Sequence, residues 1–282
     1  MTIILSQPDA GGLAEVADVL RAWQHDGIPP QLHPGDLGWF WRNGAAETAA
    51  AVRTWSRDGR VLAVGLLDGP GLLRLALAPD ARDDEELTRR LAADILAGAE
   101  TDVDASMCPR VEKLLAEDGW RPGEPWTPLR RDLAEPVPDP GRRIEVIGPE
   151  RAHVRAALQR ASFDGSTFTD ERWHAMAAGP PYAGARCLVA HDDRDEPVAA
   201  VTVWSIGPGR PGLLEPMGVH REHRGQGHGT AIVLAAAAAL RELGASSATV
   251  CTPSSNAGAV ATYRAAGFQP LPEIRDHCRP DA

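Results

Sequence analysis

The sequence predicts a mixed α/β fold with an antiparallel portion, built twice in tandem. Three observations carry this expectation. Segments of the first half recur, in order, in the second half. Strand-length apolar runs alternate with longer helical runs through the second half. A proline-rich stretch divides the chain near its middle.

The divider is Glu135-Pro136-Val137-Pro138-Asp139-Pro140-Gly141. Proline fixes φ and lacks an amide donor, so three of them with a glycine continue neither a helix nor a central strand. The expected organisation is a first domain over 1–134, a linker over 135–142 and a second domain over 143–282. The chain has 282 residues, enough for two domains of ordinary size.

The recurrence is weak at each site but consistent in order. Ile3-Ile4-Leu5-Ser6-Gln7-Pro8 matches Ile144-Glu145-Val146-Ile147-Gly148-Pro149, an offset of 141. The same offset lays Leu72-Leu73 on Leu213-Leu214. It also lays Ala78-Pro79-Asp80-Ala81-Arg82-Asp83 on Val219-His220-Arg221-Glu222-His223-Arg224. Leu115-Ala116-Glu117-Asp118-Gly119-Trp120 matches Tyr263-Arg264-Ala265-Ala266-Gly267-Phe268 at an offset of 148.

Elements of the second half follow from local signals. Arg143 to Ile147 reads as a strand, and Pro149 to Ala161 as a helix with proline near its start. Thr169 caps a second helix, with acids in its first turn. Ala185 to His191 and Pro197 to Ile206 are strands joined by the charged turn Asp192 to Glu196. Leu213 to Val219 is a further strand. Gly229 to Leu243 is a helix closed by Gly244. Ser247 to Thr252 is a strand. Ala257 to Ala266 is a helix with Asn256 at its N-cap and Gly267 beyond its end.

Composition narrows the function. Net charge is -10, which argues against a nucleic-acid partner. An acidic surface draws cationic small molecules, and it equally serves only to keep a protein soluble. No apolar run approaches the roughly 20 residues that span a bilayer. Met1 to Gln7 has neither the basic start nor the apolar stretch of a signal peptide. Cys108, Cys187, Cys251 and Cys278 are scattered without metal-ligand spacing. A cytoplasmic protein with no membrane partner, no metal and no disulfide framework is expected.

Arg224-Gly225-Gln226-Gly227-His228-Gly229 lies between a strand and a long apolar helix. A glycine-rich turn lets backbone N–H groups converge on an anion, and the helix start adds unpaired donors and a positive dipole end. Arg224 adds a charged donor. A dinucleotide loop lacks its first-strand position here, and a nucleotide-triphosphate loop lacks its Gly-Lys-Ser/Thr. Taken alone, the segment also reads as an ordinary turn.

Two segments carry a family resemblance. Glu215-Pro216-Met217-Gly218-Val219-His220-Arg221-Glu222-His223 followed by the glycine-rich turn resembles the first signature of the GNAT superfamily of N-acetyltransferases. Asn256-Ala257-Gly258-Ala259-Val260-Ala261-Thr262-Tyr263-Arg264-Ala265-Ala266-Gly267-Phe268 resembles the second. The resemblance implies two tandem GNAT-like domains, each a mixed, mostly antiparallel sheet flanked by helices. It implies acetyl-CoA as co-substrate, with its pyrophosphate on Arg224, Gly225, Gln226, Gly227, His228, Gly229 and Thr230. The backbone of Met217, Gly218 and Val219 would pair with the pantetheine arm. Asn256 would hydrogen-bond that arm, or only cap its helix. Tyr263 would protonate the departing thiolate, or only pack. Pro216 suits the place where the fourth and fifth strands of the superfamily separate, because it removes a ladder hydrogen bond.

The first copy reads as degenerate. Arg82-Asp83-Asp84-Glu85-Glu86-Leu87 stands at the loop position, where four acids repel a pyrophosphate. Leu115 stands where Tyr263 stands. Tandem members such as mycothiol synthase are built this way. The base that such enzymes carry early in the fourth strand falls near Leu213, which cannot take a proton. Strand alternation puts Leu213, Glu215, Met217 and Val219 on one face. Glu215 alone of these is ionisable, and it is the candidate general base. It reads equally as a partner for backbone groups freed by Pro216 or for an arginine. Trp39-Phe40-Trp41, with Trp23 and Trp55, reads as core packing or as a pocket lining. His223 and His228 flank the loop and read as surface histidines.

The expected activity is acetyl transfer from acetyl-CoA to a primary amine of a small molecule, by direct attack in a ternary complex. The chain is expected to act as a monomer, its tandem halves substituting for a dimer. The alternatives are a non-catalytic acetyl-CoA sensor and a protein-lysine acetyltransferase.

Overall fold

The structure is a computed structural model that describes residues 2–28 and 31–280. The first half runs β1 (Ile4–Ser6), α1 (Leu13–Trp23), α2 (Pro34–Phe40), α3 (Ala45–Ala51), β2 (Val52–Arg57), β3 (Arg60–Leu67), β4 (Leu72–Leu77), α4 (Glu85–Ala97), β5 (Asp102–Asp104), α5 (Pro109–Glu117) and β6 (Arg121–Asp132). The second half repeats the order, except that two helices stand where the first half has three and a short strand is added before the last one. It runs β7 (Ile144–Val146), α6 (Ala152–Ser162), α7 (Asp170–Ala177), β8 (Ala185–His191), β9 (Pro197–Trp204), β10 (Gly212–Val219), α8 (His228–Glu242), β11 (Ser247–Pro253), α9 (Ala257–Ala265), β12 (Gln269–Pro270) and β13 (Ile274–Cys278). The mixed, mostly antiparallel sheet with flanking helices that the sequence predicts is the architecture found.

Local chemistry explains where the elements begin. Thr169 accepts from the Arg172 N–H at 3.3 Å and opens α7. Asn256 accepts from the Ala259 N–H at 3.1 Å and opens α9. Pro149 opens a single 3₁₀ turn rather than the helix itself, and α6 starts at Ala152.

Among the described residues the strands form one sheet in the order β1-β2-β3-β4-β5-β13-β6-β11-β10-β9-β8-β7, with β12 beside β6. Each half has one parallel pair, β4–β5 and β10–β11. The last strands cross between halves. β13 lies between β5 and β6, and β6 pairs with β11 from Trp126 to Asp132. Sequence analysis assigns no element to either strand. β6 carries Pro122, Pro125 and Pro128, which argue against a central strand. It is accommodated because its prolines serve as acceptors. The Pro125 carbonyl takes the Ser254 N–H at 2.8 Å, and the Pro128 carbonyl takes the Leu271 N–H at 2.9 Å.

The second half is three-layered. Alternate residues of β8 and β9 face opposite ways. Leu188, Ala190, Ala199 and Val201 pack under α8 and α9, while Cys187, Val189, Ala200 and Trp204 pack under α6 and α7. Trp204 also locks the halves together. It is 1% exposed, and a Cβ on Gly35 of α2 would come within 2.6 Å of it. Only glycine lets α2 lie this close. His33, which caps α2, sits neutral across the same seam. Its ring Nδ1 accepts from the Gly35 N–H at 2.9 Å, and its Nε2 donates to the Pro211 carbonyl at 3.2 Å. Burial pushes its pKa down, consistent with that state. Burying one large apolar side chain in such a seam contributes about 1.5–3 kcal/mol.

Candidate active site

The glycine-rich turn leads directly into α8. Gly227 is the N-cap of α8 with φ of 83°, and no side chain caps the helix. Gly225 has φ of 75°. Both conformations penalise any residue with a Cβ. No atom lies within 4 Å of where such a Cβ would sit at either position, so the space over the turn is open. Gly229 is glycine for another reason: its Cβ would come 3.0 Å from Thr262 on the packed helix α9. His228 is buried and Thr230 half-buried, so their backbone N–H groups are what they offer at the helix start. Arg224 is pinned by a 2.8 Å bond to the Ser162 carbonyl, and the Gln226 amide donates to the Glu222 carbonyl at 3.4 Å. An uncapped helix start leaves backbone N–H groups that an anion can satisfy.

Strand β10 then parts from β11. The two pair only at Gly212↔Ala248 and Leu213↔Thr249. Beyond that, β10 stays with β9, from Met217↔Val201 to Val219↔Ala199. The register shifts between Leu214 and Met217, the interval that holds Glu215 and Pro216. The edge of β10 towards β11 is therefore without a strand partner from Leu214 onward. Its free backbone groups require partners from an extended ligand or solvent. Gly218 is in close contact on its face, since a Cβ there would come 2.6 Å from Ser162 of α6.

Tyr263 stands on α9, 4% exposed, with its ring 5.9 Å from Phe268. Burial first, and the negative charge of Glu215 next, push its phenol up, so it keeps its proton at neutral pH. Asn256 is exposed, and its Oδ1 is committed to the cap of α9.

A cavity of about 220 Å³ lies between the halves at the point where β10 and β11 diverge. Leu213 and Glu215 line it from β10, and Val250 and Cys251 from β11. The first half supplies Asp36, Asp68, Arg74 and Asp104, and β13 supplies Asp276. The Arg74 guanidinium donates to Asp36 at 2.8 Å and Asp68 at 3.4 Å, with Asp104 at 4.0 Å. Asp36 is 4% exposed at its side chain and also accepts the His33 backbone N–H at 2.6 Å.

Burial and the nearby Asp36 push the Glu215 carboxyl up to about 7, against the pull of Arg74. Burial and Asp104 push Asp276 up to about 6. The Trp204 indole N–H donates to the Glu215 carbonyl at 2.6 Å and fixes that stretch of backbone. Burial also pushes the Cys251 thiol up to about 12, so it stays neutral.

The structure thus brings Glu215 into the cavity and sets Tyr263 within its electrostatic reach. The glycine-rich turn lies at the far end of β10. Trp23, Trp41 and Trp55 are buried in the first core. Trp39 stacks on Phe168 at 5.2 Å and carries Arg42 at 4.3 Å. None of these lines the cavity, whereas Trp126 of β6 does. Sequence reasoning missed Asp36, Asp68, Arg74, Asp104 and Asp276. One signal existed: Arg74 precedes Glu215 by the repeat offset of 141.

The corresponding helix start in the first half is finished differently. Asp84 accepts from the Leu87 N–H at 2.9 Å and caps α4. Its carboxylate also binds Arg57 at 2.6 Å, and Glu86 binds Arg57 at 3.0 Å. Leu115 of α5, in the place of Tyr263, is fully buried.

Residues 154–268 match the family model described as Acetyltransferase (GNAT) family. The chain is similar to mycothiol acetyltransferase of Propionibacterium freudenreichii subsp. shermanii, at 28% identity over 276 residues, covering 90% of this chain and 84% of that one. Its fold is similar to a GCN5-related N-acetyltransferase from Sphaerobacter thermophilus, with TM-score 0.62 and 19% identity over 98% of this chain and 95% of that one. It is also similar to a tandem GNAT protein from the clavulanic acid biosynthesis pathway, with TM-score 0.61 and 18% identity over the full length of both.

Proposed function

We propose that this chain, an acyltransferase of tandem GNAT build with its GNAT domain in the second half, moves acetyl from acetyl-CoA to a primary amine of a small molecule. Attack is direct, in a ternary complex, and the chain acts as a monomer. The observation that carries this reading is Glu215, a carboxylate that lines the acidic cavity between the halves where β10 and β11 part and that burial pushes up to about 7.

The residues fit acetyl-CoA. The uncapped start of α8, with Gly225 and Gly227 in left-handed conformation, suits a pyrophosphate. The unpaired edge of β10 at Met217 to Val219 suits the amides of a pantetheine arm. Bound there, acetyl-CoA supplies an activated thioester carbonyl. Carboxylates on the cavity wall attract a protonated amine. Glu215 then takes one proton from the ammonium, which frees the nitrogen lone pair. The base is Glu215 rather than Leu213, two residues earlier on the same strand. The freed nitrogen attacks the thioester carbonyl, and the Tyr263 hydroxyl gives its proton to the sulfur as the C–S bond breaks. The second proton lost by the nitrogen returns to the Tyr263 phenolate, directly or through water. Such acid or base assistance is typically worth about 10²–10⁴-fold.

The cavity is walled by both halves, which favours a small acceptor over a lysine on a protein surface. Similarity to a mycothiol acetyltransferase supports the same choice. The test is a library of primary amines screened for CoA release, with mass analysis of the product. An acetylated small amine is expected. Acetyl-CoA binding with no CoA release from any amine would make the chain a sensor instead. Glu215→Gln keeps shape but takes up no proton. It should lower kcat/KM at neutral pH and remove the acidic limb of the pH–rate profile. Survival of that limb would move the base elsewhere.

A further inference from the structure

We propose that Arg74, in the half without a cofactor loop, is a positioning residue of the acetyl-transfer site: held by Asp36, Asp68 and Asp104 on the cavity wall, it sets the electrostatic field in which Glu215 takes the acceptor's proton. This rests on the reading of Glu215 as the base.

The geometry is that of a clamp. One guanidinium reaches carboxylates from three separate elements, at 2.8 Å to Asp36 of α2, 3.4 Å to Asp68 after β3 and 4.0 Å to Asp104 of β5. Three carboxylates confined this way repel one another and Glu215, which lines the same cavity. A single cation among them lowers that repulsion. Arginine suits the task better than lysine, because its planar fork binds several oxygens in fixed directions. Asp36 cannot turn away, since the His33 backbone N–H also holds it at 2.6 Å.

The place of Arg74 in the chain supports the assignment. It lies on β4 at the offset of 141 that lays Leu72-Leu73 on Leu213-Leu214 of β10, and so corresponds to Glu215. Both fourth strands turn the same position into one cavity. The first half has lost the glycine-rich turn and the phenol. At this position it still carries a charge, opposite in sign to that of Glu215. Its role therefore extends beyond scaffolding to the chemistry of the other half.

The charged groups acting on Glu215 are Asp36 and Asp68, which raise its pKa, and Arg74 and Arg42, which lower it. The Cys251 thiol and the Tyr263 phenol feel Glu215 in turn, and both are neutral at neutral pH. Two substitutions should therefore move Glu215 in opposite directions. Arg74→Met removes a cation and should move its titration to higher pH, by roughly one unit or more. Asp68→Asn removes an anion and should move it to lower pH, by less. Arg74→Lys should restore part of the wild-type position.

The test is ¹³C NMR of the full chain labelled at glutamate side-chain carboxyls, titrated from pH 4 to 9. The Glu215 signal is assigned by its loss in Glu215→Gln. A wild-type midpoint near 7 with opposite shifts in the two variants supports the proposal. An unmoved midpoint in Arg74→Met, or in Asp68→Asn should the Met variant not fold, overturns it. A purely structural Arg74 would change stability without ordered, opposite shifts. The reading of Glu215 as base is tested separately by acetyl transfer in Glu215→Gln, so the two failures are distinguishable.

Discussion

Helix α4 begins with the Asp84 carboxylate bonded to the Leu87 N–H, while α8 begins with Gly227 and no side-chain cap at all. The two starts occupy corresponding places in the two halves. Every helix start leaves N–H groups that need acceptors. The first half meets that need internally, with an acid that Arg57 also holds. The second half leaves it to be met by an anion from outside. If the second half binds acetyl-CoA as proposed, exchanging a carboxylate for a glycine is what separates a binding half from a closed one.

The largest effect is expected from importing the acid into the open start. Gly227→Glu adds a Cβ at φ of 83° and a negative charge where the pyrophosphate would lie. Acetyl-CoA affinity should fall at least ~100-fold, equivalent to about 2.7 kcal/mol or more. The thermal midpoint should fall only by the cost of a Cβ in the left-handed conformation, about 1–2 kcal/mol, because no atom stands in the way of the side chain. Isothermal titration calorimetry with a melting curve checks both.

The next difference is Tyr263 against Leu115. Tyr263→Phe keeps the ring packed on Phe268 and removes the proton. It should lower kcat by about 10²-fold or more while leaving the acetyl-CoA dissociation constant within twofold. An unchanged kcat with chemistry rate-limiting would reduce Tyr263 to packing.

The seam offers a stability test. A Cβ on Gly38 would collide with the Trp204 ring. Gly38→Ala should cost about 1–3 kcal/mol by overpacking, read as a lower midpoint in denaturant. No loss would mean that α2 is free to shift, and Asp36 with it.

The smallest effect is at the closed start. Asp84→Ala removes a cap worth about 0.5–2 kcal/mol. Arg57 and the Leu87 N–H hold the Asp84 carboxyl down to about 2, against an unfolded value of about 3.9. Its contribution is complete above the unfolded value and is lost as pH falls towards 2. The stability difference between wild type and Asp84→Ala should be full at pH 7 and shrink below pH 4. The variant should still bind no acetyl-CoA in the first half, because neither glycine is supplied and Glu85 and Glu86 remain.

What the sequence made legible was local. Left-handed turns ask for Gly225 and Gly227, caps ask for Thr169 and Asn256, and β8 runs from Ala185 to His191 as its apolar residues suggest. The exchange of β6 and β13 was not legible. Strand pairing across more than a hundred residues leaves no local trace, and the prolines of β6 point away from a strand. The acidic cavity was hidden for the same reason. Asp36, Asp68, Arg74, Asp104 and Asp276 come from separated elements, and each alone reads as a surface charge. Strand alternation put Glu215 with Leu213 on the cavity side, but the irregularity between Leu214 and Met217 turns Met217 and Val219, expected on the same face, towards the other core. Arg74 was traceable only by carrying the repeat offset one residue past Leu73.

The central claim, that one half binds and the other is closed, is tested most directly by calorimetric titration of the full chain with acetyl-CoA. A stoichiometry near one is expected, lost in Gly227→Glu and kept in Asp84→Ala. Two equivalent sites, or one site that survives Gly227→Glu, would contradict it.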